Sequence, residues 1–276
     1  MKKILLLSTF LIFGCSGGDD KNSLTELNLK GKVESVYTTS FTATEKFGEV
    51  TKNDSKGSEI QKFDDKGNEI ESVDKLKLEI IGDTAWHYDV NKYKYDDKGN
   101  RIERAIYYDG SLDGKNKYKY DDKGDKIEGA IYRSNGKLIW KMKYKYDNKG
   151  NLIESVTYYP DGTPYGKNKY KYDDKGNEIE SARYDEDGEL QWKVKRKYDD
   201  KGNKIEVARN WSGHSEYKYD DKGNKIEEKF YDKYGVLDYT EIYELEYDSK
   251  GNWIKKITYK DDKPTFISER EIEYYN

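Results

Sequence analysis

The chain has 276 residues and a formal net charge of −4, with 38% charged and 34% hydrophobic residues. Its 51 basic and 55 acidic residues nearly balance. A nucleic-acid-binding protein would show a clear basic excess, so the composition argues against that class. A mean hydropathy of −1.17 excludes a multi-span membrane protein. The 28 tyrosines supply apolar surface that the few aliphatic residues do not, so we predict a folded chain with a thin, aromatic-rich core.

Residues 1–14 have the features of an export signal. Two N-terminal lysines precede an apolar run at 4–13, which is too short to span a bilayer of about 30 Å. The segment 12–15 ends in Cys15, the single cysteine, and resembles the lipobox of bacterial lipoproteins. In that family the signal is cut before the cysteine, which then carries acyl chains. We therefore predict a lipidated Cys15. A secretory signal followed by a free or buried Cys15 is the alternative.

The next residues predict a tether and a location. Residues 15–23 are polar and rich in glycine and serine, which is typical of a flexible linker. Their acidic pair, 19–20, resembles the signal that some Gram-negative groups place after the lipidated cysteine of surface-displayed lipoproteins. We predict an outer-membrane protein held by an N-terminal lipid anchor and exposed at the cell surface. Residues 24–276 are predicted to form one domain.

A short motif recurs along this domain. KYKYDDKGN at 92–100 returns in near-identical form, and GKNKYKYDDKG at 114–124 returns unchanged at 166–176. The period is about 26 residues, so regular repeats occupy about residues 58–276. The eight copies share a turn glycine: Gly67, Gly99, Gly124, Gly150, Gly176, Gly202, Gly223 and Gly251.

Each copy is predicted to be a β-hairpin. Tyr93 and Tyr95 alternate with lysines, as in a strand, and Asp-Asp-Lys-Gly follows as a turn. A four-residue loop would pair Tyr95 with Asn100 and Tyr93 with Ile102. Because this register separates apolar from charged side chains, we predict it over a three-residue loop.

The hairpins together predict an all-β fold. A second glycine turn follows each return strand, so the chain reads as a long antiparallel β-meander of about sixteen to eighteen strands. We predict a curved, elongated sheet rather than a closed barrel, because copy number varies freely in such repeats. No helix is predicted in the mature chain.

The Tyr-x-Tyr-Asp-x-x-Gly-Asn core, followed by a second glycine turn, resembles the YD-repeat (Rhs-type) family. The resemblance covers about residues 58–276 and implies hairpins wound into a spiralling sheet or shell. Two features depart from the family. Asparagine, as at Asn100, follows the turn glycine where the family usually has arginine. The predicted strands are also too few to enclose a toxin. The resemblance therefore implies a surface-interaction role rather than toxin delivery.

The sequence predicts no enzyme, metal site or cofactor. The short Asp-rich turns lack the ligand spacing of a calcium loop. His87 and His214 have no neighbouring cysteine and no metal-ligand spacing, and no Gly-x-Ser-x-Gly elbow or phosphate loop is present. Pairs of carboxylates are so plentiful that they indicate nothing about glycosidase chemistry.

The aromatic residues have two interpretations. They can be cross-strand pairs that stabilise the sheet, which their strict repetition favours. They can also stack on sugar rings or anchor a protein partner. We select as candidate ligand-binding residues the tryptophans and histidines Trp86, His87, Trp140, Trp192, Trp211 and His214.

The predicted function is that of a non-catalytic binding or interaction module on a lipid anchor. Its expected partners are the membrane, through the anchor, and a protein or glycan ligand, but no nucleic acid. One alternative is a carbohydrate-binding surface lipoprotein that captures glycans. Another is an immunity or defence protein paired with a toxin.

Overall fold

The computed structural model describes residues 22–80 and 83–276, and their side chains except those within 77–85. The predicted signal and Cys15 lie outside the described residues. The all-β meander is confirmed: in these residues, eighteen strands form one antiparallel sheet. The strands are β1 (Val33–Lys46), β2 (Glu49–Phe63), β3 (Glu69–Ile80), β4 (Asp83–Tyr95), β5 (Arg101–Tyr108), β6 (Ser111–Tyr120), β7 (Lys126–Arg133), β8 (Leu138–Tyr146), β9 (Leu152–Tyr158), β10 (Pro164–Tyr172), β11 (Glu178–Asp185), β12 (Leu190–Tyr198), β13 (Lys204–Arg209), β14 (Gly213–Tyr219), β15 (Lys225–Tyr231), β16 (Leu237–Tyr247), β17 (Trp253–Lys260) and β18 (Lys263–Tyr274).

The sheet closes on itself. The first strand, β1, pairs with β2 and also with β18, where Val33 lies opposite Tyr274 and Thr42 opposite Phe266. Every strand therefore has two neighbours, and the fold is an 18-stranded closed barrel. The prediction of an open, curved sheet was wrong. Closure removes two edges whose unpaired N–H and C=O groups would otherwise be exposed.

The two faces of the barrel wall differ in chemistry. The outer face carries lysines and glutamates in ion pairs across strands, such as Lys94 and Lys115 on either side of Glu103, at 3.3 and 3.4 Å. The inner face carries the tyrosines of the repeat, and burial raises the pKa of Tyr93 and of Tyr170. Exposed ion pairs each contribute only about 0.2–1 kcal/mol to the free energy of unfolding, so the charged side chains of the outer face mainly keep the wall solvated.

The hairpin register differs from the predicted one. Lys94 lies opposite Glu103 and Tyr95 lies opposite Arg101, with a β-bulge between these pairs. The prediction that Tyr95 pairs with Asn100 was therefore wrong. The bulge accommodates an additional residue on the return strand, so a simple count of loop residues gives the wrong partners.

The turn itself explains the bulge. The Asp96 N–H donates to the Asn100 carbonyl at 2.9 Å, and the Gly99 N–H donates to the Asp96 carbonyl at 3.0 Å. Gly99 has a φ of 83°, the left-handed conformation that ends this type of turn. Beyond the bulge, the guanidinium carbon of Arg101 lies 4.3 Å from the ring centre of Tyr93. The arginine therefore packs with the aromatic side chains rather than on the opposite face.

The second tyrosine of each copy joins neighbouring hairpins. The Tyr172 hydroxyl donates to the carbonyl oxygen of Leu152 at 2.9 Å, and Leu152 is the first residue of the preceding return strand, β9. This contact, called the tyrosine clamp below, recurs in five other pairs: Tyr95 with Glu69, Tyr120 with Arg101, Tyr146 with Lys126, Tyr198 with Glu178, and Tyr219 with Lys204. These tyrosines therefore have a structural role.

One helical turn, α1 (Ser23–Glu26), precedes the barrel, although the sequence predicts no helix. The segment 22–30 lies over the end of the barrel that carries the Asp-x-x-Gly-Asn turns. Asn22, from the predicted tether, caps α1 and donates to the Lys66 carbonyl at 2.7 Å. Asn28 donates to the Lys222 carbonyl at 3.2 Å. In the described part of the chain, no helix has the length and apolarity needed to cross a membrane.

A small apolar core explains why this segment is ordered. Leu24 and Leu29 pack with Val33, Val36 and Phe63, and all five are buried. A four-residue helix is marginal alone, so burial of its leucine, together with the cap, stabilises it. Helical periodicity cannot appear in so short a segment, which is why sequence patterns miss it.

Most turns are closed by an Asp–Asn pair. One oxygen of Asp147 accepts the Asn151 backbone N–H at 2.9 Å, and the other accepts the Asn151 side-chain N–H at 3.0 Å. This pair gives the asparagine that follows the turn glycine a structural role. One copy has Asp125 at the asparagine position, opposite Asp121. Burial and the Asp121 charge raise the pKa of Asp125.

We expect Asp125→Asn to raise the free energy of unfolding by about 1 kcal/mol at pH 7, because it adds a hydrogen bond and removes a carboxylate repulsion. A raised pKa in the folded state means that native Asp125 destabilises the fold once it ionises. The gain should therefore shrink as the pH falls below the ordinary aspartate pKa of 3.8. Urea denaturation of wild type and variant at pH 7 and at a pH below 3.8 measures the difference in their free energies of unfolding. Asp97→Asn, at an exposed turn position, should change stability by less than about 0.5 kcal/mol. A gain that is independent of pH would contradict the charge argument.

Candidate ligand-binding mouth

Successive connections of the meander alternate between the two ends of the barrel. The end with the Asp-x-x-Gly-Asn turns is called the turn end, and the opposite end is called the mouth. The mouth is formed by the connections 47–48, 109–110, 134–137, 159–163, 186–189, 210–212, 232–236 and 261–262. All six predicted ligand-binding residues lie near this end, but on different strands and on both faces of the wall.

The densest aromatic cluster at the mouth surrounds Trp140. Its ring centre lies 4.5 Å from that of Tyr165 and 5.0 Å from that of Tyr159, and the two tyrosines are 5.3 Å apart. Trp140 lies on β8, and the two tyrosines flank the β9–β10 connection. The guanidinium carbon of Arg183 lies 5.3 Å from the Tyr165 ring. This set, called the Trp140 cluster, presents a partly exposed aromatic surface beside a cation.

A second aromatic pair lies a few strands away. Trp192, on β12, meets Trp211, in the β13–β14 connection, edge to face at 6.3 Å. The Trp211 side chain is 52% exposed. The structure thus brings together two of the predicted tryptophans, and it leaves one of them open to solvent.

The two histidines do not join these clusters. His214 stacks on Tyr231 at 4.5 Å, nearly parallel, beside Glu216. His87 lies on a different strand pair, where its Nδ1 is 2.9 Å from an Asp109 carboxylate oxygen and 2.6 Å from the Tyr108 hydroxyl. The two histidines therefore belong to separate local contacts rather than to one site.

Trp86 also stands apart from the aromatic clusters. It is 39% exposed, and the Lys75 ammonium lies 4.5 Å from its ring centre. A single exposed ring stacked with a lysine is an ordinary surface contact.

Sequence reasoning missed Tyr159 and Tyr165. They are the first and last residues of the near-symmetric segment Tyr-Pro-Asp-Gly-Thr-Pro-Tyr at 159–165, and this segment is the signal that could have identified them. Other exposed apolar side chains at the mouth were also missed: Phe47, Leu190, Tyr234 and Val236. Together they make the mouth the more apolar end of the barrel.

Two other kinds of site, a metal centre and a cleft at the turn end, can be compared with the mouth. Within 22–80 and 83–276, no three His, Cys, Asp or Glu side chains are grouped closely enough to hold a metal ion. A cleft of about 340 Å³ lies at the turn end, next to Asp147 and Asp173. Both carboxylates already accept hydrogen bonds from the asparagines of their own turns, which lower the pKa of each. This cleft is therefore a gap between neighbouring turns.

Comparison with known proteins gives only distant structural likenesses. No protein-family model and no curated protein matches the sequence. A porin-like protein from Bacteroides uniformis has a TM-score of 0.49 and 10% identity, over 88% of this chain and 99% of that one. The Tc holotoxin pore of Photorhabdus luminescens has a TM-score of 0.38 and 15% identity, over 78% of this chain and 12% of that one. A domain described as an outer membrane lipoprotein-sorting protein from Vibrio parahaemolyticus has a TM-score of 0.24 and 8% identity, over 88% and 86%. None reaches 0.5, so the fold description rests on the strand pairing of this chain, and YD-repeat membership stays a prediction.

Proposed function

We propose that the protein is a lipid-anchored, non-catalytic binding module of the bacterial envelope that takes its ligand at the mouth. The Trp140 cluster is the observation that carries this proposal, because three rings meet there without being fully buried. We include membership of the YD-repeat family in the proposal. The tyrosine clamp supports it, since it gives the repeated Tyr–Asp motif a role in most copies.

The position of the N-terminus supports an outward-facing mouth. Asn22 contacts the turn end, and the chain between Cys15 and Asn22 can span no more than about 25 Å. Acyl chains on Cys15 would therefore hold the turn end near the membrane, with the mouth directed away from it. Display at the cell surface can be tested by protease treatment of intact cells. Loss of the protein supports display, and protection equal to that of a periplasmic marker contradicts it.

Among ligand classes, the Trp140 cluster favours a carbohydrate. Aromatic rings bordered by polar groups suit the apolar faces of sugar rings, and a neighbouring arginine can donate hydrogen bonds to hydroxyl or carboxylate oxygens. This makes the glycan-capture alternative the more specific form of the proposal. A protein ligand would instead be expected to contact the wider apolar rim, including Trp211 and Phe47.

We expect Trp140→Ala to weaken binding of the best glycan on an array by about tenfold or more, because removing a stacked ring at a binding hot spot costs more than about 1 kcal/mol. Trp86→Ala is the matched control, since Trp86 is also exposed but lies outside the cluster, and it should leave affinity unchanged. An array without hits, or equal binding by wild type and Trp140→Ala, would sink the carbohydrate assignment.

A further inference from the structure

Cations gather against aromatic rings on the inner face between β15 and β18, away from the mouth clusters. The guanidinium carbon of Arg270 lies 3.5 Å from the centre of the Trp253 ring, and the Lys256 ammonium lies 5.1 Å from the same ring. The ammonium groups of Lys225 and Lys256 lie 4.9 and 5.8 Å from the Tyr243 ring. Three positive side chains therefore share two rings.

Two of these cations lack a counter-ion. Lys225 is paired with Glu228 at 2.6 Å. Among the described residues, no carboxylate oxygen lies within 4.0 Å of a side-chain nitrogen of Lys256 or Arg270, so neither forms an ion pair. The Nε of Arg270 is also buried without a hydrogen-bond partner. Several outer-face lysines have such a partner, as Lys171 shows by pairing with Glu180 at 3.0 Å.

The surrounding carboxylates do not neutralise Lys256 and Arg270. Burial, with the nearby charge of Arg270, lowers the pKa of Lys256, and burial lowers the pKa of Arg270 to about 10. The negative charge of Glu241 acts in the opposite direction and raises the pKa of Lys256. The Glu241 carboxylate, however, already accepts a hydrogen bond from the Tyr243 hydroxyl at 2.5 Å. The negative charge of Glu59 likewise raises the pKa of Arg270, but it lies on β2, with β1 between the two residues. Both side chains are half-buried, and a positive charge that is partly removed from water without a partner is costly, so an anion placed here would gain free energy.

We propose that Arg270 and Lys256 bind an oxyanion group on the inner face of the barrel, with Trp253 as the platform that orients the guanidinium. A guanidinium held against the indole can direct its terminal N–H groups at two oxygens of a carboxylate, sulfate or phosphate. Lys256 supplies a second, non-directional positive charge. This site is separate from the Trp140 cluster and does not depend on the function proposed for it.

The test measures thermal unfolding of the full chain in mild detergent with sodium phosphate, sulfate or acetate, at an ionic strength held constant with sodium chloride. An oxyanion that binds the folded state raises the melting temperature in a concentration-dependent way. Lys256→Gln should weaken the apparent affinity at least about tenfold. Lys171→Gln, which removes a cation of the outer face, should leave it unchanged. The rank of the three anions identifies the group that the site prefers.

Three results would overturn the proposal: a chloride series that stabilises as much as the oxyanions, an equal response from wild type and Lys256→Gln, or an unchanged response in Arg270→Gln. Glu59→Gln keeps the proposal testable if the cationic variants do not fold. Removing this carboxylate should tighten oxyanion binding, because it removes the nearest competing negative charge. If Glu59 is instead the true partner of Arg270, the same substitution will destabilise the protein without tightening oxyanion binding.

Discussion

Gly213→Ala is expected to lower the free energy of unfolding by about 3 kcal/mol, from steric overlap together with backbone strain. A Cβ at this position would lie 2.0 Å from the Tyr231 carbonyl oxygen and 2.5 Å from the Asp232 carbonyl carbon. Both are backbone atoms, one in the last residue of β15 and one in the residue after it, so no side-chain rotation relieves the contact. Gly213 also has a φ of 107°, which disfavours any side chain. Urea denaturation followed by circular dichroism measures the loss.

Gly235→Ala separates the two causes. Gly235 lies in the 232–236 connection at the mouth with a φ of 80°, and a Cβ there would meet no atom within 4 Å. This variant should lose only about 1 kcal/mol, the cost of the left-handed conformation alone. Equal losses in the two variants would show that the strands at Gly213 separate easily and that close backbone approach does not constrain this part of the wall.

Tyr172→Phe is expected to lower the free energy of unfolding by about 1–3 kcal/mol, because it leaves the buried Leu152 carbonyl without its hydroxyl donor. Burial raises the pKa of Tyr172 above its ordinary value of 10.0, so the folded state favours the protonated phenol. The contribution of Tyr172 is then fully present below pH 10 and is lost as the pH rises beyond it. The difference between wild type and variant should therefore narrow at strongly alkaline pH.

Tyr158→Phe is the control for this substitution. Tyr158 lies on the outer face, 5.6 Å from the Lys143 ammonium, and its hydroxyl makes no hydrogen bond to a described residue. It should change stability by less than about 0.5 kcal/mol. If both tyrosine variants behave alike, the clamp does not hold neighbouring hairpins together, and the repeated tyrosines would contribute mainly through ring packing.

The hairpins could be predicted from sequence because their determinants are local. An aspartate, a glycine and two alternating tyrosines within nine residues specify a strand and its turn, and eight copies set the number of strands. The register could not be obtained in this way. It depends on a bulge opposite Tyr95, and a bulge leaves the hydrophobic pattern almost unchanged while shifting every pair beyond it.

The candidate site was predictable only in part. Tryptophans at 140, 192 and 211 could be selected because they interrupt or alternate within the repeat. Their partners could not be selected, since the position of Tyr165 against Trp140 depends on how the β9–β10 connection folds over β8. The cations at 256 and 270 were invisible for a similar reason. Lysine and arginine occur on most strands of this chain, and only the register of β17 with β18 shows that these two side chains lie against one indole.

The amino-acid sequence by itself determined the repeating hairpin, the all-β class and the separation of lysine and glutamate from tyrosine, because each depends on residues a few positions apart. Only the tertiary structure decided that the sheet closes. The seam joins Val33 to Tyr274, and the contacts that favour it over an open edge lie between opposite ends of the chain, where no local pattern records them. Closure also encloses an inner face, on which two unpaired cations lie against one indole, and it forms the mouth at which the aromatic rings meet.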